Sequence, residues 1–134
     1  MKFKLTMLSL LCLFTISFIA CKKDTTSTKA VMTGRWNINK IVVSGSATAT
    51  ENGTFNYTAS DYIDFKDTND DKVELTLNGQ TKLGTYSVYV GESFTMVFAD
   101  GTYYCTVNSL SQNSFQFTAK LDKANTIKVY SLSR

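Results

Sequence analysis

From Thr33 onward, apolar and polar side chains alternate with a period of two, and Gly, Asn and Asp interrupt the alternation at short intervals. Period two sends successive side chains to opposite faces of a strand, so each run predicts a strand with one buried and one solvated face. In the first run Trp36, Ile38 and Val42 share a side, with Lys40 interrupting it, and Asn37 and Asn39 share the other. A polar stretch from Ser44 to Ser60 follows, in which Thr54 to Tyr57 is long enough for a short strand of its own. Ile63 and Phe65 then alternate with Tyr62, Asp64 and Lys66, and Val73, Leu75 and Leu77 with Glu74 and Thr76. Tyr86, Val88 and Val90 line the next run; Phe94, Met96 and Phe98 the one after. Tyr103, Cys105 and Val107, then Phe115, Phe117, Ala119 and Leu121, and finally Ile127 and Val129 complete the series.

The punctuation says how these runs connect. Asn78-Gly79 tolerates the positive φ at both positions of a type I′ turn, and Asp100-Gly101 carries the same hairpin signal. Successive strands joined by short loops favour an antiparallel meander, and closing it removes the exposed edges of a long open sheet. The predicted fold is all-β: a small up-and-down barrel of about eight strands over residues 33–134, with a two-sheet sandwich as the alternative.

The chain before Thr33 has a different character. Lys2 and Lys4 precede an apolar run from Leu5 to Ala20, the three-part plan of an export signal. As a helix that run covers about 24 Å at about 1.5 Å per residue, short of a hydrocarbon core of about 30 Å. Residues 1–20 therefore read as a signal peptide, with an uncleaved anchor as the alternative. Residues 21–32 are rich in Thr, Ser and Lys and offer little to bury, so they read as a flexible tether. A turn of helix over Ser27 to Met32 fits just before the first strand.

Composition narrows the chemistry. The 134 residues contain no His and no Pro, which excludes Ser-His-Asp and Cys-His catalysis and the common zinc sites. The formal charge is +3, but Lys2, Lys4, Lys22, Lys23 and Lys29 all precede the strands, leaving the domain close to neutral. A near-neutral domain has no basic stripe for phosphates, so nucleic acid is not an expected partner. Asp67-Thr68-Asn69-Asp70-Asp71 starts like a calcium loop, but Lys72 stands where glycine is needed and Asn78 where a bidentate Glu belongs. No metal, cofactor or catalytic residue is expected: Asp61 and Asp64 are three apart, which on a strand puts them on opposite faces.

Of the three cysteines, Cys105 falls between apolar neighbours, where a thiol acts as a small hydrophobe with a raised pKa. Cys21 directly follows Ala20, and a disulfide between Cys21 and Cys105 is one option in an oxidising compartment. Phe18-Ile19-Ala20-Cys21, however, resembles a bacterial lipobox, with Phe18 at the position where Leu is usual. The resemblance implies cleavage between Ala20 and Cys21, acylation of Cys21 and a membrane as partner through that anchor; two or more chains hold a protein stably. Lys22-Lys23-Asp24 resembles the charged signal that sends some Bacteroidetes lipoproteins to the outer face of the outer membrane. Asp24-Thr25-Thr26 resembles that phylum's short O-glycosylation sequon, with Thr25 as acceptor.

Gly34-Arg35-Trp36 opens the first strand as a Gly-x-Trp motif, and with Gly84-Thr85-Tyr86 in mid-meander it resembles the lipocalin-like lipoproteins of Bacteroidetes. The second lipocalin motif, Thr-Asp with a later Tyr, is absent. The resemblance implies that Trp36 packs across the barrel floor beneath a basic residue from the last strand, for which Arg134 and Lys128 are the candidates. It implies an envelope protein whose barrel binds or carries a small apolar ligand; the domain is expected to be monomeric and, lacking His and a paired-carboxylate site, non-enzymatic. An eight-stranded barrel either fills with side chains or holds one small ligand. The aromatic candidates for lining such a pocket are Trp36, Tyr86, Phe98, Tyr103 and Phe117, and the alternative is that they are simply core. The competing function is an interaction module that recognises a protein or glycan through loops such as Ser44 to Ser60.

Overall fold

A computed structural model describes residues 27–134; Ala20, Cys21 and Thr25, with the rest of the leader, lie outside the described residues. A short helix α1 (Thr28–Met32) leads into β1 (Gly34–Ser44), and a single 3₁₀ turn (Ala49–Glu51) precedes β2 (Gly53–Asn56). Then follow β3 (Tyr62–Phe65), β4 (Lys72–Leu77), β5 (Gln80–Val88), β6 (Ser93–Phe98), β7 (Gly101–Leu110), β8 (Ser114–Leu121) and β9 (Ile127–Ser133). Each strand from β3 onward pairs antiparallel with the next. The sheet closes where β9 runs along β1 from Asn37 opposite Ser133 to Ser44 opposite Ile127.

The result is a closed antiparallel barrel of eight strands with one extra strand, β2. Because β9 occupies one edge of β1, β2 and β3 share the other: β3 pairs with Gly34 to Asn37 and β2 with Lys40 to Val43. The polar stretch from Ser44 to Ser60 thus holds both the 3₁₀ turn and a strand, and no long unstructured loop remains there.

Strict alternation fails at two places that matter for the interior. A β-bulge between Ile38 and Lys40 inserts one residue into β1, so the buried positions run Trp36, Ile38, then Ile41. Val42, expected beside Trp36, faces the other way. In β9 the expected inward residues, Ile127 and Val129, point out, and Tyr130 and Leu132 are buried instead. The register explains this: Phe117 stands opposite Tyr130 and Phe115 opposite Leu132, and directly opposed residues share a face. Val90 was also expected inside; it lies in the turn after β5 and is fully exposed.

The turns follow their chemistry. Asn78 and Gly79 both take positive φ, 51° and 75°, in a two-residue loop between paired Leu77 and Gln80. In the β6–β7 hairpin the loop residues are Ala99-Asp100, and Gly101 already pairs with Phe98, a shift of one from the expected turn.

Aromatic side chains fill one half of the barrel. Trp36, Phe65, Phe94, Phe115 and Phe117 are wholly or almost wholly buried. A column of rings runs from Trp36 to Phe115 (centroids 5.5 Å apart), Phe117 (5.1 Å) and Tyr130 (4.7 Å, stacked). Each such pair adds about 0.5–1.5 kcal/mol to the area it buries.

Helix α1 closes that end. Five residues cannot hold a helix alone, so its stability comes from docking. Ser27 Oγ accepts from Ala30 N at 3.2 Å, and the Met32 side chain is completely buried. Lys29 Nζ reaches Asp71 at 2.8 Å in the β3–β4 loop. The last part of the expected tether, Ser27 to Met32, is therefore folded onto the barrel, because Met32 supplies an apolar plug that the polar composition around it conceals.

Candidate ligand site at the open end of the barrel

The two ends of the barrel are built differently. At the α1 end, Trp36 Nε1 donates to Met32 O at 2.7 Å, and the Arg134 guanidinium lies over the indole, 3.7 Å from the ring centroid. The same guanidinium donates to the carbonyls of Val31, Met32 and Thr33. Gly34 makes this possible: its φ is +110°, and a Cβ there would stand 3.3 Å from Arg134 Nη2. Of the two basic residues that could cover Trp36, Arg134 does so. Tyr86 completes the closed end, with its hydroxyl donating to Lys66 O at 3.0 Å.

The opposite end, ringed by the β4–β5, β6–β7 and β8–β9 hairpins, is open. A recess of about 90 Å³ enters the barrel there, lined by Leu75, Leu77, Met96, Phe98, Tyr103 and Tyr130, with Lys82 and Lys128 at its sides. A wider outer cleft of about 550 Å³ adjoins it; Tyr103 and Lys128 line both, and Val43, Phe55 and Tyr57 add apolar wall.

The five aromatic residues expected to line a pocket are thus divided. Phe98 and Tyr103 meet at the open end, with centroids 6.0 Å apart and rings nearly perpendicular. Trp36 and Tyr86 lie in the closed half, and Phe117 is completely buried beneath the Tyr130 ring. Sequence reasoning missed Tyr57, Lys128 and Tyr130. The two residues on β9 were hidden by the phase of that strand, which only the pairing with β8 reveals.

Polar groups at this end have distinct roles. Asp100 Oδ2 accepts from Lys82 Nζ at 3.0 Å and from Tyr103 Oη at 2.8 Å. Burial opposes its ionisation, but these donors hold the Asp100 carboxyl below its usual range. Burial, followed by the Asp100 acceptor, pushes the Tyr103 phenol up to about 12. Asp61 is buried and serves structure: Oδ2 accepts from Thr58 N at 2.9 Å and Oδ1 from Asn78 N at 2.7 Å, joining the β2–β3 loop to the β4–β5 turn.

Other residues weighed for chemistry sit elsewhere. Asp64 is on the outer wall, paired with Lys66 at 2.7 Å. In the acidic turn, Asp71 pairs with Lys29 and Asp70 with Lys72 at 3.5 Å. Cys105 is buried, and burial pushes its thiol up to about 12. No protein-family model, curated protein or solved structure matches this chain.

Proposed function

We propose that this is a lipid-anchored protein of the bacterial envelope, held by Cys21, whose lipocalin-like barrel binds a small apolar molecule at its open end. The observation that carries the ligand reading is the asymmetry of the barrel: one end is sealed by α1, Trp36 and Arg134, and the other opens on an apolar recess with a few polar groups. Concave, mostly apolar sites with few polar groups are the usual form of a small-molecule site. The packed aromatic half limits the occupant to a small molecule or to one end of a larger one. The anchor rests on Phe18-Ile19-Ala20-Cys21. The mechanism is desolvation of the ligand, without bond chemistry.

Native mass spectrometry of the protein from its source tests the ligand reading. A copurified or added fatty acid or pigment held in the spectrum supports it, and a spectrum that stays ligand-free with both added rejects it. Detergent partitioning tests the anchor: Cys21→Ser should move the protein to the aqueous phase, and unchanged partitioning would reject acylation.

A second reading has its own support on the outer wall. Tyr89 and Tyr104 are each more than half exposed beside a shallow groove of about 390 Å³ that also includes Thr95, Thr106 and Thr118. Exposed aromatics among hydroxyls suit an interaction module for a protein or glycan, the reading that a ligand-free barrel would favour.

A further inference from the structure

The hydrogen-bonding groups at the open end are unevenly matched. Three carboxylates near it are engaged: Asp100 by Lys82 and Tyr103, Asp61 by Thr58 and Asn78, and Glu51 at the rim of the cleft by the Ser46 hydroxyl at 2.6 Å; Asp122, in the β8–β9 turn, lines neither the recess nor the cleft. The donors are not. Lys128 Nζ and the hydroxyls of Tyr57 and Tyr130 form no hydrogen bond or ion pair with any described residue. No described buried side-chain nitrogen or oxygen is both sealed from solvent and unpartnered, so the hydroxyl of buried Tyr130 opens onto the recess it lines. Lys128 lines both the recess and the cleft.

A cation and two O–H donors without a matching acceptor define the missing partner. Lys128 and Tyr130 are inward because of the β8–β9 register, Ala119 opposite Lys128 and Phe117 opposite Tyr130, so both are held by the sheet and neither is on a mobile tip. The recess of about 90 Å³ is smaller than a cavity of about 150 Å³ that takes up a benzene ring, so it suits a short apolar end better than a whole ligand.

We propose that the open end selects a small amphiphile with one negative charge: its apolar end enters the recess over Met96 and Phe98, and its anionic head, a carboxylate in the simplest case, lies against Lys128 with Tyr57 and Tyr130 as hydrogen-bond donors. This rests on the ligand reading above and adds the sign of the ligand's charge. A neutral molecule of the same shape fills the recess but leaves Lys128 unpaired. A cationic one meets like charge from Lys128.

Titrating the purified protein with hexanoate, 1-hexanol and hexylammonium, followed by calorimetry or by NMR shifts, separates the two statements. Hexanoate is expected to bind at least about 5-fold more tightly than hexanol, with hexylammonium weakest. Lys128→Met, which keeps the apolar stem, should erase the preference for hexanoate over hexanol, and a wild-type circular-dichroism spectrum with cooperative urea unfolding reports that the variant is folded. Tyr57→Phe should reduce hexanoate binding by a smaller factor, about 2-fold to 5-fold. Hexanol binding as tightly as hexanoate, or a preference for hexanoate that survives Lys128→Met, overturns the anionic proposal and leaves the apolar pocket standing. Binding of none of the three overturns both.

Discussion

The Arg134 guanidinium lies 3.7 Å from the centroid of the Trp36 ring while donating to three consecutive carbonyls, Val31 to Thr33. One residue at the end of β9 therefore fixes the chain entering β1, covers the indole and holds α1 in place. A cation over an aromatic ring contributes about 0.5–2 kcal/mol, and hydrogen bonds from a charged donor about 1.5–3 kcal/mol. Arg134→Ala is expected to cost about 1.5–3 kcal/mol in urea unfolding. Arg134→Lys should recover less than half, because an ammonium cannot stack on the ring and serve the row of carbonyls together. Wild-type stability in Arg134→Ala would show that α1 and the aromatic core close the barrel without it.

Gly84 supports a close approach of β5 to β6. Its backbone φ is ordinary, but a Cβ would stand 2.2 Å from Val97 O and 2.7 Å from Phe98 Cδ1. The carbonyl belongs to the strand paired through Thr85 and Val97, so it cannot retreat without disturbing that register. Gly84→Ala is expected to cost about 1–3 kcal/mol as an overpacking change. It should also displace Phe98 and weaken any ligand at the open end; unchanged melting with unchanged binding would contradict this packing.

Legibility in the sequence followed the physics of each element. β3, β6 and β8 read correctly because each buries one face and leaves the other more open without a break in phase; β4 keeps the phase through Leu75, but Thr76 on its other face is buried as well. β1 misled at its bulge, since Asn39-Lys40 looks like an interruption of one face when it is an insertion that exchanges the faces. β9 misled because Ile127 and Val129 are β-branched and apolar, yet a barrel wall carries apolar residues outside as well, and only pairing decides. The recess depends on that pairing: it brings Lys128 inward, an assignment that residue type alone argues against. Closure by β1 and β9 is likewise a long-range pairing between chain ends, invisible to a local pattern.

Cys105 tests the core directly. Its thiol is buried opposite Ala119, and burial pushes it up to about 12, so at pH 8 almost none is thiolate in the folded state. Iodoacetamide at pH 8, with the modified peptide mapped by mass spectrometry, should label Cys105 only as urea unfolds the barrel. Rapid labelling in native buffer would mean that the β7–β8 wall opens locally.

Asp61 gives the barrel an acid limit. Hydrogen bonds from the Thr58 amide, the Asn78 amide and the Thr58 hydroxyl outweigh burial and hold its carboxyl below the ordinary range. Its folded pKa is thus lower than the unfolded value of about 3.9. The carboxylate's contribution is complete above that unfolded value and is lost as pH falls through the folded one. Glu74, lowered first by the Tyr62 hydroxyl, has the same sign, so the decline is shared. Asp61→Asn keeps the side chain's shape but removes the charge that all three donors address. In urea titrations between pH 7 and pH 2, the variant should be less stable at neutral pH, and the gap to the wild type should close below about pH 4. A gap that stays constant to pH 2 would mean that the loop is held by shape and that the charge on Asp61 is incidental.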